Sequence, residues 1–162
     1  MDSDYMEKLY KIYSWPDNPF TEEGRRRYES TLKTMEKIVK HKWFEEIISG
    51  RDKIGVIEYC GAYGIGGVAL SRILKEKYNV EIEFTIIDLR RDALKGARRF
   101  VYEELGIEPK ILVGDVTEKI NFDKRHDIAL LWGHSTPHFN PWSYVKLLSN
   151  IHNSLKEKSL YI

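Results

Sequence analysis

Residues 54–67 read Ile-Gly-Val-Ile-Glu-Tyr-Cys-Gly-Ala-Tyr-Gly-Ile-Gly-Gly, an apolar run that gives way to small residues just before a helical pattern begins. A strand that turns through small residues into a helix aims that helix's free N–H groups and partial positive charge at whatever lies above the turn. Glu58 ends the strand, where a second polar contact can be made. Tight turns of this kind need small residues on steric grounds, so the turn alone is weak evidence of a ligand. The Gly-Lys-Ser/Thr ending of a triphosphate cradle is absent, which argues against a nucleoside triphosphatase.

The rest of the chain repeats the strand–helix alternation. Ile54–Cys60 reads as a strand and Val68–Tyr78 as a helix, with Leu70, Ile73, Leu74 and Tyr78 inward. Glu81–Asp88 alternates Ile82, Phe84 and Ile86 and ends on Asp88. Arg91–Leu105 is a helix closed by Gly106. Pro109–Val113 is a short strand before Gly114 and Asp115, and Asp127–Trp132 is an apolar strand before Gly-His-Ser-Thr-Pro-His. Asn140 caps a helix with Pro141 at its first position, running to about Leu155. Ser159–Ile162 starts a further strand. Continuous apolar strands alternating with helices predict an α/β fold, a doubly wound, mostly parallel sheet with helices on both faces. Right-handed crossovers then bring Glu58, Asp88, Asp115 and Trp132–His134 to one sheet edge, where such sheets bind ligands.

Ahead of this unit, residues 1–52 read as a helical arm of the same domain. Tyr5, Tyr10, Tyr13, Trp15 and Phe20 crowd the first 20 residues, with a helix over about 3–13 broken by Pro16–Pro19. The arm packs on the core or covers a ligand as a lid. Residues 21–49 form the longest helical pattern, capped by Thr21, with a stripe of Tyr28, Leu32, Met35, Val39, Trp43 and Ile47 and a stop at Gly50.

A chain of 162 residues with 42% apolar and 31% charged residues suits one soluble domain with a real core. Its net charge of +1 gives no pull toward nucleic acid or membrane. Arg25–Arg27 reads as a solvated helix face, though it and Arg90–Arg91 can each meet an anion. A single cysteine, no signal peptide at Met1–Tyr5 and no membrane-length apolar run favour a cytoplasmic protein. Glutamine is absent while Lys, Glu, Ile and Tyr are plentiful, a bias expected of a thermophilic source.

Asp88, ending the second strand, can accept both hydroxyls of a ribose, and Asp115 can accept from an adenine amino group. Each can instead cap the backbone that follows it. In combination with the turn, these residues resemble the Rossmann-like (class I) S-adenosylmethionine-dependent methyltransferases. Glu58-Tyr-Cys60-Gly-Ala62-Tyr-Gly64 matches the family's acidic residue followed by small residues at alternate positions, although Cys60 and Ala62 replace two usual glycines and Gly61 lies between them. Asp88-Leu-Arg-Arg-Asp, Gly114-Asp115-Val116 and His126–Trp132 match its next three strand ends. Gly133–Phe139 is similar to the Gly-Asn-Ser-x-x-His loop of its small-molecule members, with His134 where Asn is usual.

The resemblance covers about residues 53–162 and implies S-adenosyl-L-methionine as cofactor. Glu58 and the turn Cys60, Gly61, Ala62 and Gly64 would hold its methionine part, Asp88 the ribose, and Leu89, Asp115 and Val116 the adenine. Trp132, Gly133 and His134 would line the floor near the sulfonium. His134 and His138 are candidate bases, needed only if the acceptor must lose a proton; the simpler reading has His134 lining the pocket and His138 steadying its loop. His41, His126 and His152 suggest no site, and no spacing suggests a metal. The expected activity is methylation of a small molecule. The alternatives are a silent cofactor-binding module or partner subunit, and an NAD(P)-dependent oxidoreductase, which shares the turn and Asp88 but leaves Asp115 unexplained. The family's sheet usually has seven strands and the pattern here supplies about five. The chain therefore reads as truncated, or as self-associating through an open edge.

Overall fold

The computed structural model describes residues 3–13 and 15–162. Residues 1 and 2, where the N-terminal stretch read above begins, and residue 14 lie outside the described residues. Five strands form one sheet: β1 (Lys53–Tyr59), β2 (Glu81–Asp88), β3 (Lys110–Val113), β4 (His126–Leu130) and β5 (Leu155–Tyr161). Their order is β3-β2-β1-β4-β5, and every neighbouring pair is parallel. The chain steps outward from β1 to β3, then returns to the far side of β1 for β4. Strand order therefore reverses between β1 and β4, which opens a crevice beyond their carboxyl ends.

Helices cover both faces, as the apolar strands require. Residues of α2 (Glu22–Ile38), α3 (Lys42–Ile48), α4 (Ile65–Tyr78) and α5 (Arg91–Leu105) join one core cluster around Tyr28, Leu70, Phe84 and Phe100. On the other face α6 (Pro141–Ser154) packs Leu147 and Ile151 against Ile57, Tyr59, Ile87 and Ala129. The sheet is pinned at its amino-terminal rim by Asp127, which is fully buried at 0% exposure. Its carboxylate accepts from the Gly55 N–H at 2.8 Å and from Lys156 Nζ at 2.9 Å, and it also pairs with Arg51. One acid thereby ties β1, β4, β5 and the approach to β1 together, its desolvation offset by donors on several sides.

Several expected boundaries move. Residues 21–49 are two helices, not one. After Ile38 the chain tightens, with Lys40 N–H bonding Lys37 O and His41 N–H bonding Ile38 O, and His41 Nδ1 then accepts from the Trp43 N–H to start α3. The break turns Trp43 out of the apolar stripe to 55% exposure. Helix α4 starts at Ile65, three residues before the expected Val68. Strand β4 stops at Leu130, so Trp132 belongs to the loop that follows. Strand β5 follows α6 directly; its register against β4 shifts between His126 and Ile128, and Leu160 and Tyr161 pair regularly.

Candidate functional site

The turn after β1 shows why small residues occupy it. Cys60 and Ala62 both sit in the left-handed region, with φ of +52° and +50°, and Gly64 follows at +83°. The two positions lacking the family's glycines thus keep a glycine conformation, at a cost of about 1 kcal/mol or more each. Gly61 between them is needed for space, since a Cβ there would lie 2.9 Å from Ile86. Burial pushes the Cys60 thiol well up.

Glu58 does not reach openly into the crevice. It is 1% exposed and lies beneath the first turn of α4, where Gly67 N–H donates to Oε2 at 2.8 Å. A Cβ on Gly66 would stand 2.5 Å from Trp132 and 2.7 Å from Glu58 Oε1, and one on Gly67 would stand 2.4 Å from Phe84. The glycine pair therefore makes room for the carboxyl. Burial raises Glu58 to about 8, against the Gly67 donor and the charge of Arg27.

Asp88 ends β2 facing the turn. Its Oδ2 accepts from Ala62 N–H and its Oδ1 from Arg90 N–H, both at 2.8 Å. Burial raises its carboxyl, while Arg90 and the two amides oppose the rise. Each oxygen keeps a second lone pair, so capping and ligand binding are compatible here. Asp115 Oδ1 accepts from the Thr117 N–H and hydroxyl at 2.8 and 2.7 Å. Its loop is held from α6 by Asn150, whose amide donates to Val116 O at 2.7 Å and Glu118 O at 2.6 Å.

The loop after β4 makes the opposite wall. Gly133 has φ of +105°, and residues 136–138 form one 3-10 turn. His138 Nε2 lies 3.3 Å from the Tyr10 hydroxyl, and His134 meets the edge of Trp15 with ring centroids 4.5 Å apart. Both contacts come from the N-terminal arm, which includes α1 (Ser3–Ile12). The arm is fastened again by Asp17, 2.6 Å from the Arg90 guanidinium, which itself lies 4.0 Å from the Tyr10 ring centre.

These elements enclose a cavity of about 310 Å³, the size of a small-ligand site. Glu58, Cys60, Gly61, Ala62, Asp88, Leu89, Asp115, Val116, Trp132, His134 and His138 all line it. Gly64 and Gly133 are not part of the lining; Gly64 packs against Ile86 and Phe84, and Gly133 lies under Arg27. Sequence reasoning gave no site role to Met6, Tyr10, Trp15, Asp17, Arg27 or Arg90 individually, and all six line the cavity. The aromatic density of the arm was the available signal for Tyr10 and Trp15, and the Arg90–Arg91 pair for Arg90. Arg27 corrects the reading of Arg25–Arg27 as a solvated face: Arg25 and Arg26 side chains are 46% and 72% exposed, but Arg27 is half-buried in the cavity wall. Among the described residues no cluster of three or more His, Cys, Asp or Glu could hold a metal, and no helix is long and apolar enough to cross a membrane.

No protein-family model and no curated protein matches this sequence. Solved structures do match its fold. The PH0226 protein of Pyrococcus horikoshii matches with a TM-score of 0.64 at 20% identity, over 95% of this chain and 59% of its own. An S-adenosylmethionine-dependent methyltransferase from Thiobacillus denitrificans, solved with S-adenosyl-L-homocysteine, matches at 0.56 and 19% identity, over 99% and 55%. Another from Clostridium acetobutylicum matches at 0.56 and 15%, over 85% and 55%. The chain thus spans somewhat more than half the length of these structures. Its fold is the Rossmann-like fold of class I S-adenosylmethionine-dependent methyltransferases.

Proposed function

We propose that this chain binds S-adenosyl-L-methionine in the cavity and takes part in methyl transfer to a small molecule. The observation that carries the reading is the meeting of Asp88 and Asp115, ending two successive strand regions, in one cavity with the β1–α4 turn. The donor set fits the group. Asp88 has a lone pair on each oxygen for a ribose diol, Leu89 and Val116 offer apolar surface to an adenine, and the turn presents backbone to an amino-acid end.

When bound, the cofactor supplies an electrophilic methyl group. The chain's own contribution is orientation and exclusion of water. Asp88 fixes the nucleoside, and Asn150 holds the Val116 loop against it. The arm acts as a lid, with Tyr10 and Trp15 closing the side next to the β4 loop. If the acceptor carries a proton, His134 or His138 takes it, and opening the Tyr10 contact frees His138 Nε2. A cavity of about 310 Å³ supports the reading of a small acceptor.

Titration with S-adenosyl-L-homocysteine tests the cofactor. Asp88→Ala is expected to lower its affinity roughly tenfold to a hundredfold, the range for hydrogen bonds to a charged group. Unchanged affinity by calorimetry would remove Asp88 from the site. Transfer of labelled methyl from the cofactor to a metabolite pool separates an enzyme from a silent binding module.

A further inference from the structure

Arg27 differs from the cavity's other guanidinium. Arg90 is engaged by both Asp17 and Asp88. Among the described residues Arg27 makes no ion pair. Among the described residues its hydrogen bond is a long one, Nη1 to Pro16 O at 3.4 Å, and its guanidinium stands 5.2 Å from the Trp15 ring centre. Its Nη2 lies over Gly133, where a Cβ would be 2.9 Å away, so the glycine keeps that space open. Glu58 acts on it through space, but that carboxyl is turned beneath α4 and takes the Gly67 N–H. Arg27 is carried by α2 beside the fully buried Tyr28, so its backbone position is set by the core and not by α1.

A guanidinium stays charged and offers five N–H donors in a planar fork. Half-burying it with one long bond is costly unless something else completes its shell. Asp17, Asp88 and Asp115 also stand in the cavity wall, so a doubly charged phosphate is disfavoured and a single negative charge suits the guanidinium that has no ion pair among the described residues. We propose that Arg27 is the carboxylate receptor of this cavity, gripping a ligand's acid group above the Gly133 backbone beside Trp15. The carboxylate comes from the amino-acid end of the cofactor or from the acceptor. The inference rests on the cofactor reading only for which of these arrives.

The test compares wild type with Arg27→Gln, after thermal unfolding has shown the variant to be folded; Arg27→Lys, which keeps the charge but loses the fork, replaces it if it is not. Binding is measured for S-adenosyl-L-homocysteine, which carries a carboxylate, and for 5′-methylthioadenosine, which does not. If the cofactor supplies the acid, the variant loses roughly tenfold to a hundredfold in affinity for the first and less than about twofold for the second. If the acceptor supplies it, neither affinity changes, and the stabilisation that a panel of small monocarboxylic acids gives to the homocysteine-loaded wild type disappears in the variant. If neither nucleoside binds wild type, the cofactor reading fails, and the same acid panel on the free protein decides Arg27 by itself. Equal loss for both nucleosides, or no difference from wild type in any arm, overturns the proposal.

Discussion

At the scale of single residues, the acids of the cavity were legible and their surroundings were not. Asp88 and Asp115 stand out because strand register fixes where a strand-terminal residue emerges. Glu58 was found for the same reason, yet its place under α4 depends on a packing contact with Gly67 that spacing does not reveal. Its burial has a measurable consequence. The folded carboxyl holds its proton to about pH 8, whereas the unfolded chain releases it near the ordinary value of about 4.3. Between those values the folded state binds the extra proton, so this group's contribution to stability is full below about pH 4.3 and declines as pH rises toward 8. Urea unfolding at pH 5, 6 and 7 should show wild type losing stability relative to Glu58→Gln, by on the order of 1 kcal/mol per pH unit. Parallel pH dependences in the two proteins would contradict this. Arg27 escaped notice because a polar residue beside an apolar helical stripe reads as solvent-facing, and only the arm folding over it makes that site an interior one.

Elements are specified by several weak signals, and they fail where a contact substitutes for a signal. Strand β2 and helix α5 were delimited correctly because alternation and a left-handed Gly106 mark them. The break between α2 and α3 has neither glycine nor proline; a histidine side chain supplies the cap, so periodicity runs straight across it. The early start of α4 follows from the glycine pair that seats Glu58. Gly67→Ala should therefore destabilise the protein by about 1–3 kcal/mol in urea unfolding, because its Cβ meets the Phe84 ring and Glu58 together. Gly114→Ala, whose Cβ would meet nothing within 4 Å, provides the near-neutral control. Comparable losses in both variants would show that the Glu58 seat does not limit helix α4.

On the scale of the whole molecule, alternation of strands and helices was enough to foresee the parallel sheet, and the order reversal between β1 and β4 sets its crevice. How the arm lies was open between packing and covering, since aromatic residues serve either purpose. The structure joins it to the site through Asp17 and Arg90, a largely buried pair whose guanidinium also approaches Asp88. Asp17→Asn should speed amide hydrogen exchange over residues 5–13 and weaken S-adenosyl-L-homocysteine several-fold, roughly the effect of one charge-assisted bond. Unaltered exchange in the arm would mean that its aromatic contacts alone hold it down.

The Asp127 clamp and the cavity occupy opposite rims of the same sheet. Strand cohesion near the amino ends leans on one buried acid with donors from the backbone, Lys156 and Arg51. The candidate site at the carboxyl ends is built by loops and by the arm. Such a division lets the cavity wall be rewritten by substitution while the anchoring rim stays as it is, so the cavity's shape and charge can diverge among descendants of this chain faster than the scaffold that presents it.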